Sequence, residues 1–97
     1  MEVVWSNDTL YVADTYNHKI KAINSRTGEV LTVAGTGRPG SGNEPAEFHE
    51  PAGLAFARGK LYVADTNNHA IRVIEFAAPN RVSTLKIEEL AAPNKRP

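Results

Sequence analysis

Short runs rich in Val, Ile, Leu and Tyr alternate with polar clusters along most of the chain. The clusters contain Ser-Asn-Asp, Asn-His, Arg-Thr-Gly and Pro-Asn, which favour tight turns. Short apolar runs separated by such turns predict β-strands joined as antiparallel hairpins. The run Leu-Tyr-Val-Ala is apolar at every position, so we expect the sheet that contains it to be covered on both faces.

The pattern occurs twice. LYVADTYNHKI at residues 10–20 returns as LYVADTNNHAI at residues 61–71, an offset of 51 residues, with nine of eleven letters unchanged. The similarity extends to the segments before and after, so that each copy contains four predicted strands. Four consecutive hairpin-linked strands form an antiparallel meander, and meanders repeated at this period are blades of a β-propeller.

We therefore predict an all-β chain of two four-stranded antiparallel blades. Trp5 and Phe56 fall in the first strand of a blade, nearest the propeller axis, and are predicted to be core residues. The predicted organisation is a first blade at 1–33, a Gly-rich connecting loop at 34–50, a second blade at 51–87 and a flexible C-terminal tail at 88–97. The charged residues predicted to be solvated are Lys21, Arg26, Arg72 and Arg81.

Composition excludes several classes of protein. The 97 residues fit one small domain, and eleven basic residues balance eleven acidic ones. No net charge therefore draws the chain to nucleic acid or to an anionic membrane. The absence of cysteine excludes disulfides and Cys-ligated zinc. No apolar run reaches the ~20 residues of a membrane helix, and no basic signal-peptide start follows Met1, so we expect a soluble, cytoplasmic protein.

The phrase L-Y-V-A-D-T-x-N-H-x-I, with a Gly-rich loop ending in P-x-G-L-A, resembles the NHL repeat, the unit of a six-bladed propeller family. These residues are 10–20, 61–71 and 34–55 in this chain. The similarity is greatest to propellers that follow a thioredoxin-like domain, but without cysteine no redox function is implied. No Gly-rich loop follows Leu85, as in the last blade of a propeller. The resemblance thus implies the last two blades of a longer NHL protein, and we expect an excised or engineered fragment.

Two blades alone leave two blade faces uncovered. Strand spacings of ~4.8 Å and rises of ~3.3 Å per residue give roughly 300 Å² for each face. Two such faces are at or beyond the size of the largest apolar patch expected on a soluble monomer. We expect head-to-tail association into a closed ring, and the six blades of the NHL family favour a homotrimer over two or four chains. The predicted function is a self-assembling scaffold for protein–protein interaction, not an enzyme, with no cofactor.

The turn between the second and third strands of a blade emerges on the same rim as the loop to the next blade. A peptide- or RNA-binding rim is the alternative function, since some NHL propellers bind RNA through a basic top surface. Nucleic acid is disfavoured here, because Glu44, Glu47 and Glu50 share the loop and the net charge is zero. The candidate ligand-binding residues are Tyr16, Asn17, His18, Arg38, His49, Asn68 and His69.

Each Asp-Thr-x-Asn-His motif places a carboxylate where a strand ends. The carboxylates of Asp14 and Asp65 can accept hydrogen bonds from backbone N–H groups that have no partner beyond the end of the strand. Asn17 and Asn68 are residues that favour a tight turn. The other interpretation is an acid–base pair or a metal ligand. Because a catalytic site is normally built once and this motif occurs twice, we predict a structural turn and no catalytic residue.

Two further motifs suggest chemistry. His18, His49 and His69 would suit zinc if a ring brought them together, as in a metal-dependent hydrolase or lyase. Lyases with a similar propeller bind metal near the axis, but none of their motifs maps onto this sequence, and no metal site is predicted. The G-x-G-x-x-G run from Gly35 to Gly40 would need a helix directly after it to bind a dinucleotide. Pro and Gly residues prevent that helix, so a mobile or turn-rich connector is expected.

Overall fold

Two four-stranded sheets form the framework of the protein. The structure, a computed structural model, describes residues 2–77 and 79–86. Each sheet is an antiparallel meander whose strands follow one another in chain order. The predicted all-β fold with two four-stranded antiparallel sheets is confirmed, and each sheet has the form of a propeller blade. Blade 1 contains β1 (Glu2–Ser6), β2 (Thr9–Asp14), β3 (Lys19–Asn24) and β4 (Val30–Ala34), and blade 2 contains β5 (Pro51–Ala57), β6 (Lys60–Asp65), β7 (Ala70–Glu75) and β8 (Arg81–Lys86).

Two-residue turns join β1 to β2 and β5 to β6. Asn7 and Asp8 have φ angles of 52° and 61°, and Arg58 and Gly59 have φ angles of 54° and 74°. A two-residue hairpin loop with positive φ at both positions matches the twist of the strands, and Asn, Asp and Gly adopt this region most readily. The pairing of each hairpin runs up to its turn, so the turn sets the register.

One face of each blade packs against the other blade. Side chains alternate between the two faces of a strand, and cross-strand partners share a face. Tyr11 of blade 1 packs on Phe56 and Phe76 of blade 2, with ring centroids 5.6 and 5.4 Å apart. We call these two sides the contact faces, and the opposite sides the free faces. The buried core between them contains Ala13, Ile20, Phe48, Leu61, Val63, Ile74 and Val82.

The free face of blade 1 carries a row of apolar side chains. Trp5 is the cross-strand partner of Leu10, Leu10 of Ile23, and Ile23 of Val30. Trp5 is 61% exposed, so its prediction as a core residue is wrong for the single chain, because β1 directs this side chain away from blade 2. The equivalent Phe56 lies on the contact face, where it packs as described above.

The predicted tail at 88–97 and the predicted last residue of the second blade, 87, lie outside the described residues. Within residues 2–77 and 79–86, neither of the short helical turns has the length and apolar character that crossing a membrane requires.

Candidate functional site

The two Asp-Thr-x-Asn-His motifs adopt the same backbone conformation. A single 3-10 turn, Thr15–Asn17 in blade 1 and Thr66–Asn68 in blade 2, follows the second strand of each blade. The next residue is left-handed, with φ of 57° at His18 and 53° at His69. Its backbone N–H donates to the carbonyl of Thr15 or Thr66 and closes the turn. The histidines therefore act as left-handed turn residues through their backbone.

Blade 2 contains a buried polar cluster at this turn, which we call the blade 2 corner: Asp65, Asn68 and Arg72. Asp65 Oδ2 accepts hydrogen bonds from Asn68 Nδ2 at 2.8 Å and from Arg72 Nη1 at 2.7 Å. The side chains of Asp65 and Arg72 are 0% and 1% exposed. Such a buried pair is compatible with folding only when its members are hydrogen-bonded on several sides.

The remaining hydrogen bonds of the blade 2 corner hold the Gly-rich connecting loop. Arg72 donates to the carbonyls of Glu47 and Gly42, both at 2.6 Å, and to Asn43 Oδ1 at 2.7 Å. Its guanidinium also lies 4.9 Å from the centre of the Phe48 ring, a distance suited to a cation–π contact. The prediction that Arg72 is solvated is wrong, because the loop folds over it and supplies its acceptors.

Two further bonds complete this attachment. Asn68 Nδ2 donates to the carbonyl of Gly40 at 2.7 Å, and the backbone N–H of His49 donates to Asp65 Oδ1 at 2.8 Å. Phe48, fully buried, anchors the end of the loop in the core. The loop is thus turn-rich, and its second half is fastened to blade 2.

The equivalent blade 1 corner consists of Asp14, Asn17 and Lys21. Asp14 Oδ2 accepts hydrogen bonds from Asn17 Nδ2 at 3.0 Å and from Lys21 Nζ at 2.9 Å. The hydrogen bonds from Lys21 and Asn17 lower the pKa of Asp14 below its ordinary value. The side chains of Asp14 and Lys21 remain 19% and 32% exposed. The same pattern of residues is therefore packed against a loop in blade 2 and open to solvent in blade 1.

The predicted rim residues are only partly brought together. His18 and His49 meet edge to face with their ring centroids 5.5 Å apart, and His18 Nδ1 accepts the backbone N–H of Glu50 at 3.0 Å. His69, Arg38 and Tyr16 are exposed. Among residues 2–77 and 79–86, no group of three or more His, Cys, Asp or Glu side chains is arranged to hold a metal.

The G-x-G-x-x-G run does not open a helix within the described residues. It continues as bends and isolated bridges, Pro39 with Phe48 and Asn43 with Ala46. Gly35 has a φ of 109°, and a Cβ there would lie 2.6 Å from the carbonyl oxygen of His18. Glycine is needed at this position because the loop passes close to the backbone of blade 1.

Sequence reasoning missed Arg72 and Phe48 as the residues that fasten the loop. Arg72 occupies the position of Lys21 in the first copy, so an exposed cation was the natural expectation. The sequence signal for this role is that the second copy has Arg72 where the first copy has Lys21. The planar guanidinium of arginine can donate hydrogen bonds to several acceptors at once.

Comparison with known proteins bears on both blades. The NHL repeat family matches residues 48–74. Over 81 residues, which are 75% of this chain, the sequence is 46% identical to NHL repeat-containing protein 2 of Bos taurus. The Homo sapiens protein of that name is 43% identical over 93 residues, 88% of this chain. Protein SUPPRESSOR OF QUENCHING 1, chloroplastic, of Arabidopsis thaliana is 40% identical over 101 residues, 97% of this chain.

The fold and the repeated corner define a protein built from propeller-type blades. The chain belongs to the NHL repeat family and is homologous to NHL repeat-containing protein 2 and to SUPPRESSOR OF QUENCHING 1 over a short region. The resemblance predicted from the repeated motif is confirmed. The matched regions cover 11%, 13% and 10% of the cattle, human and plant proteins, so the chain spans about a tenth of these relatives.

Proposed function

We propose that this chain is a non-catalytic interaction scaffold whose free blade faces pack against further NHL blades. In the form proposed for the isolated chain, copies associate head to tail into a closed ring of three chains and six blades. The observation that supports this proposal is that each free face carries the same kinds of residues as a contact face. The corresponding residues are 51 positions apart in the sequence.

The free face of blade 2 repeats the residues with which blade 1 contacts blade 2. Tyr62 and Ala64 alternate with the buried Leu61 and Val63, so they point away from blade 1. The corresponding residues of the contact face of blade 1 and the free face of blade 2 are Val4 and Ala55, Tyr11 and Tyr62, Ala13 and Ala64, Ile20 and Ile71, and Ala22 and Val73.

The free face of blade 1 repeats the contact face of blade 2 in the same way. The corresponding pairs are Trp5 and Phe56, Leu10 and Leu61, Val12 and Val63, and Ile23 and Ile74. The free face of blade 1 in one copy is therefore complementary to the free face of blade 2 in another. A contact between two different surfaces of one chain generates a ring when the rotation closes and a filament when it does not.

The number of chains follows from the number of blades. Propellers have roughly four to eight blades, so two blades per chain allow two, three or four chains, and the six of the NHL family correspond to three. Closing the ring would remove Val3, Trp5 and Leu85 from water, which are 51%, 61% and 50% exposed in the single chain. Burying a large apolar side chain contributes about 1.5–3 kcal/mol.

The proposal is tested by charging the free face of blade 1. We expect Trp5→Glu to dissociate the assembly into single chains, because an unpaired carboxylate is costly in a dry interface. The matched control is Tyr16→Glu, at another exposed aromatic residue on the rim. The position equivalent to Tyr16 in blade 2, Asn67, stays exposed beside the packed loop, so this variant should assemble as the wild type does.

Sedimentation velocity of the three proteins measures the outcome. A wild-type protein that sediments as a single chain, or a Trp5→Glu protein that assembles as well as the wild type, would contradict the proposal. Loss of assembly in both Trp5→Glu and Tyr16→Glu would show that the effect is not specific to the blade face, and would also contradict the proposal.

A further inference from the structure

We infer that the blade 1 corner, Asp14, Asn17 and Lys21, is a docking site for the connecting loop of a preceding NHL blade. The ligand is a Gly-rich peptide segment with the chemistry of residues 40–49 of this chain. The inference rests on the proposed function in one respect, namely that a further blade can pack against blade 1. It concerns the polar corner of the blade and not its apolar face.

The blade 1 corner already has the conformation of the occupied one. The φ and ψ angles are −88° and 81° at Asp14 and −91° and 81° at Asp65. The left-handed residues that follow the turns, His18 and His69, agree as closely, with ψ of 43° and 46°. Each aspartate accepts hydrogen bonds on Oδ2 from the Asn three residues on and the cation seven residues on. Docking would therefore require little rearrangement of the backbone.

The two corners differ in what lies against them. In blade 2, the second carboxylate oxygen of Asp65 accepts the N–H of His49, Asn68 donates to Gly40, and Arg72 donates to two carbonyls of the loop. In blade 1, among the residues that the structure describes, the counterparts of these bonds are not made. The Asp14 and Lys21 side chains remain partly exposed where their counterparts are buried.

The chemistry of the corner selects a peptide backbone. Asp14 Oδ1 can accept a backbone N–H, Asn17 Nδ2 can donate to a carbonyl, and Lys21 can donate to one or more further carbonyls. A phosphate group would meet the carboxylate of Asp14, which disfavours an anionic ligand. A loop such as residues 40–49, whose backbone lies close to the blade 2 corner, supplies both the N–H and the carbonyl groups. These backbone groups carry no net charge.

One difference predicts the strength of docking. Arg72 holds two carbonyls and a side-chain amide oxygen with a planar fork, whereas Lys21 is a single flexible ammonium. The loop should therefore bind the blade 1 corner more weakly than an Arg-containing corner, and Lys21→Arg should strengthen binding.

The experiment titrates the labelled full chain with a synthetic peptide of residues 34–50, AGTGRPGSGNEPAEFHE, and follows backbone amide NMR signals. We expect saturable shifts at residues 14–21. Asp14→Ala should weaken binding roughly tenfold or more, since a hydrogen bond to a charged group is lost. Lys21→Arg should tighten it several-fold, and alanine in place of Phe48 in the peptide should weaken it. Asp8→Asn, at the distant hairpin turn, is the control and should bind as the wild type does.

The same titration on Trp5→Glu keeps the inference separate from ring assembly, because Trp5 lies at the end of its hairpin remote from Asp14. Peptide binding by Trp5→Glu as a single chain would support docking independently of the ring. Peptide binding by a wild-type protein that sediments as a single chain would contradict the ring and still support docking. Three outcomes would overturn the docking site: no saturable shifts in either protein, equal binding by wild type and Asp14→Ala, or shifts confined to residues 65–72, where the peptide would merely replace the chain's own loop.

Discussion

Lys21 and Arg72 occupy the same position in the two repeats, yet one is partly solvated and the other is buried. An ion pair at the surface contributes little, because water screens both charges and the side chains lose freedom. A buried pair is different, since removing one partner leaves a charge without compensation. The contribution of this position to the free energy of unfolding therefore depends on whether other residues pack against it and bury it.

This difference predicts unequal effects of the same substitution. Arg72→Met should lower the free energy of unfolding by about 3–5 kcal/mol, because Asp65 would remain buried and unpaired. Lys21→Met should lower it by less than about 1 kcal/mol. Urea denaturation of the two variants measures both effects, and similar losses in the two would contradict the distinction between the corners.

The pKa of Asp14 predicts how the blade 1 corner responds to acid. Hydrogen bonds from Lys21 and then Asn17 hold this pKa below the ordinary value of 3.8. Folding therefore favours the carboxylate, so its contribution to stability is present above the ordinary value and is lost as the pH falls through the lowered pKa. Lys21→Met should raise the Asp14 pKa toward 3.8.

An NMR titration of the Asp14 side chain measures this pKa in the wild type and in Lys21→Met. Lys60→Met is the control, because Lys60 pairs with Glu75 in blade 2 and should not affect Asp14. An Asp14 pKa that is the same in the wild type and in Lys21→Met would show that the ion pair does not form in solution.

Among the elements, the strands could be predicted from the sequence and the loop could not. Each four-strand copy was marked by apolar runs and turn residues that repeat 51 positions apart, and the strands follow these local signals. The attachment of the loop depends on Arg72 and Phe48 meeting residues that are distant in sequence. Periodicity carries no information about such contacts, and it also did not show which side of β1 would be covered.

The glycines of the turns give a prediction at this scale. Gly59 has a φ of 74° and open space around its missing Cβ, so Gly59→Ala should cost only the strain of a left-handed residue, about 1 kcal/mol. Gly35→Ala should cost more, since the new Cβ would also meet the carbonyl oxygen of His18. Thermal unfolding of both variants measures the order, and an equal or smaller loss in Gly35→Ala would contradict the close approach of the loop to blade 1.

For the whole molecule, the repeat is the basis for proposing that the two blades associate with further blades. The free faces of the chain repeat the residues that already pack together inside it, so under the proposal separate copies would pack together in the same way. The number of chains in a ring depends on the angle between successive blades. Local sequence patterns do not encode this angle, and the choice of three chains rests on the six blades of the family.

Native mass spectrometry of the wild-type chain over a wide range of concentration determines whether a closed ring forms. With a chain mass of 10.5 kDa, we expect one dominant species of three times that mass, which persists on dilution because a ring leaves no free faces. A 10.5 kDa species alone at every concentration, or polymers that lengthen as concentration rises, would contradict the closed ring.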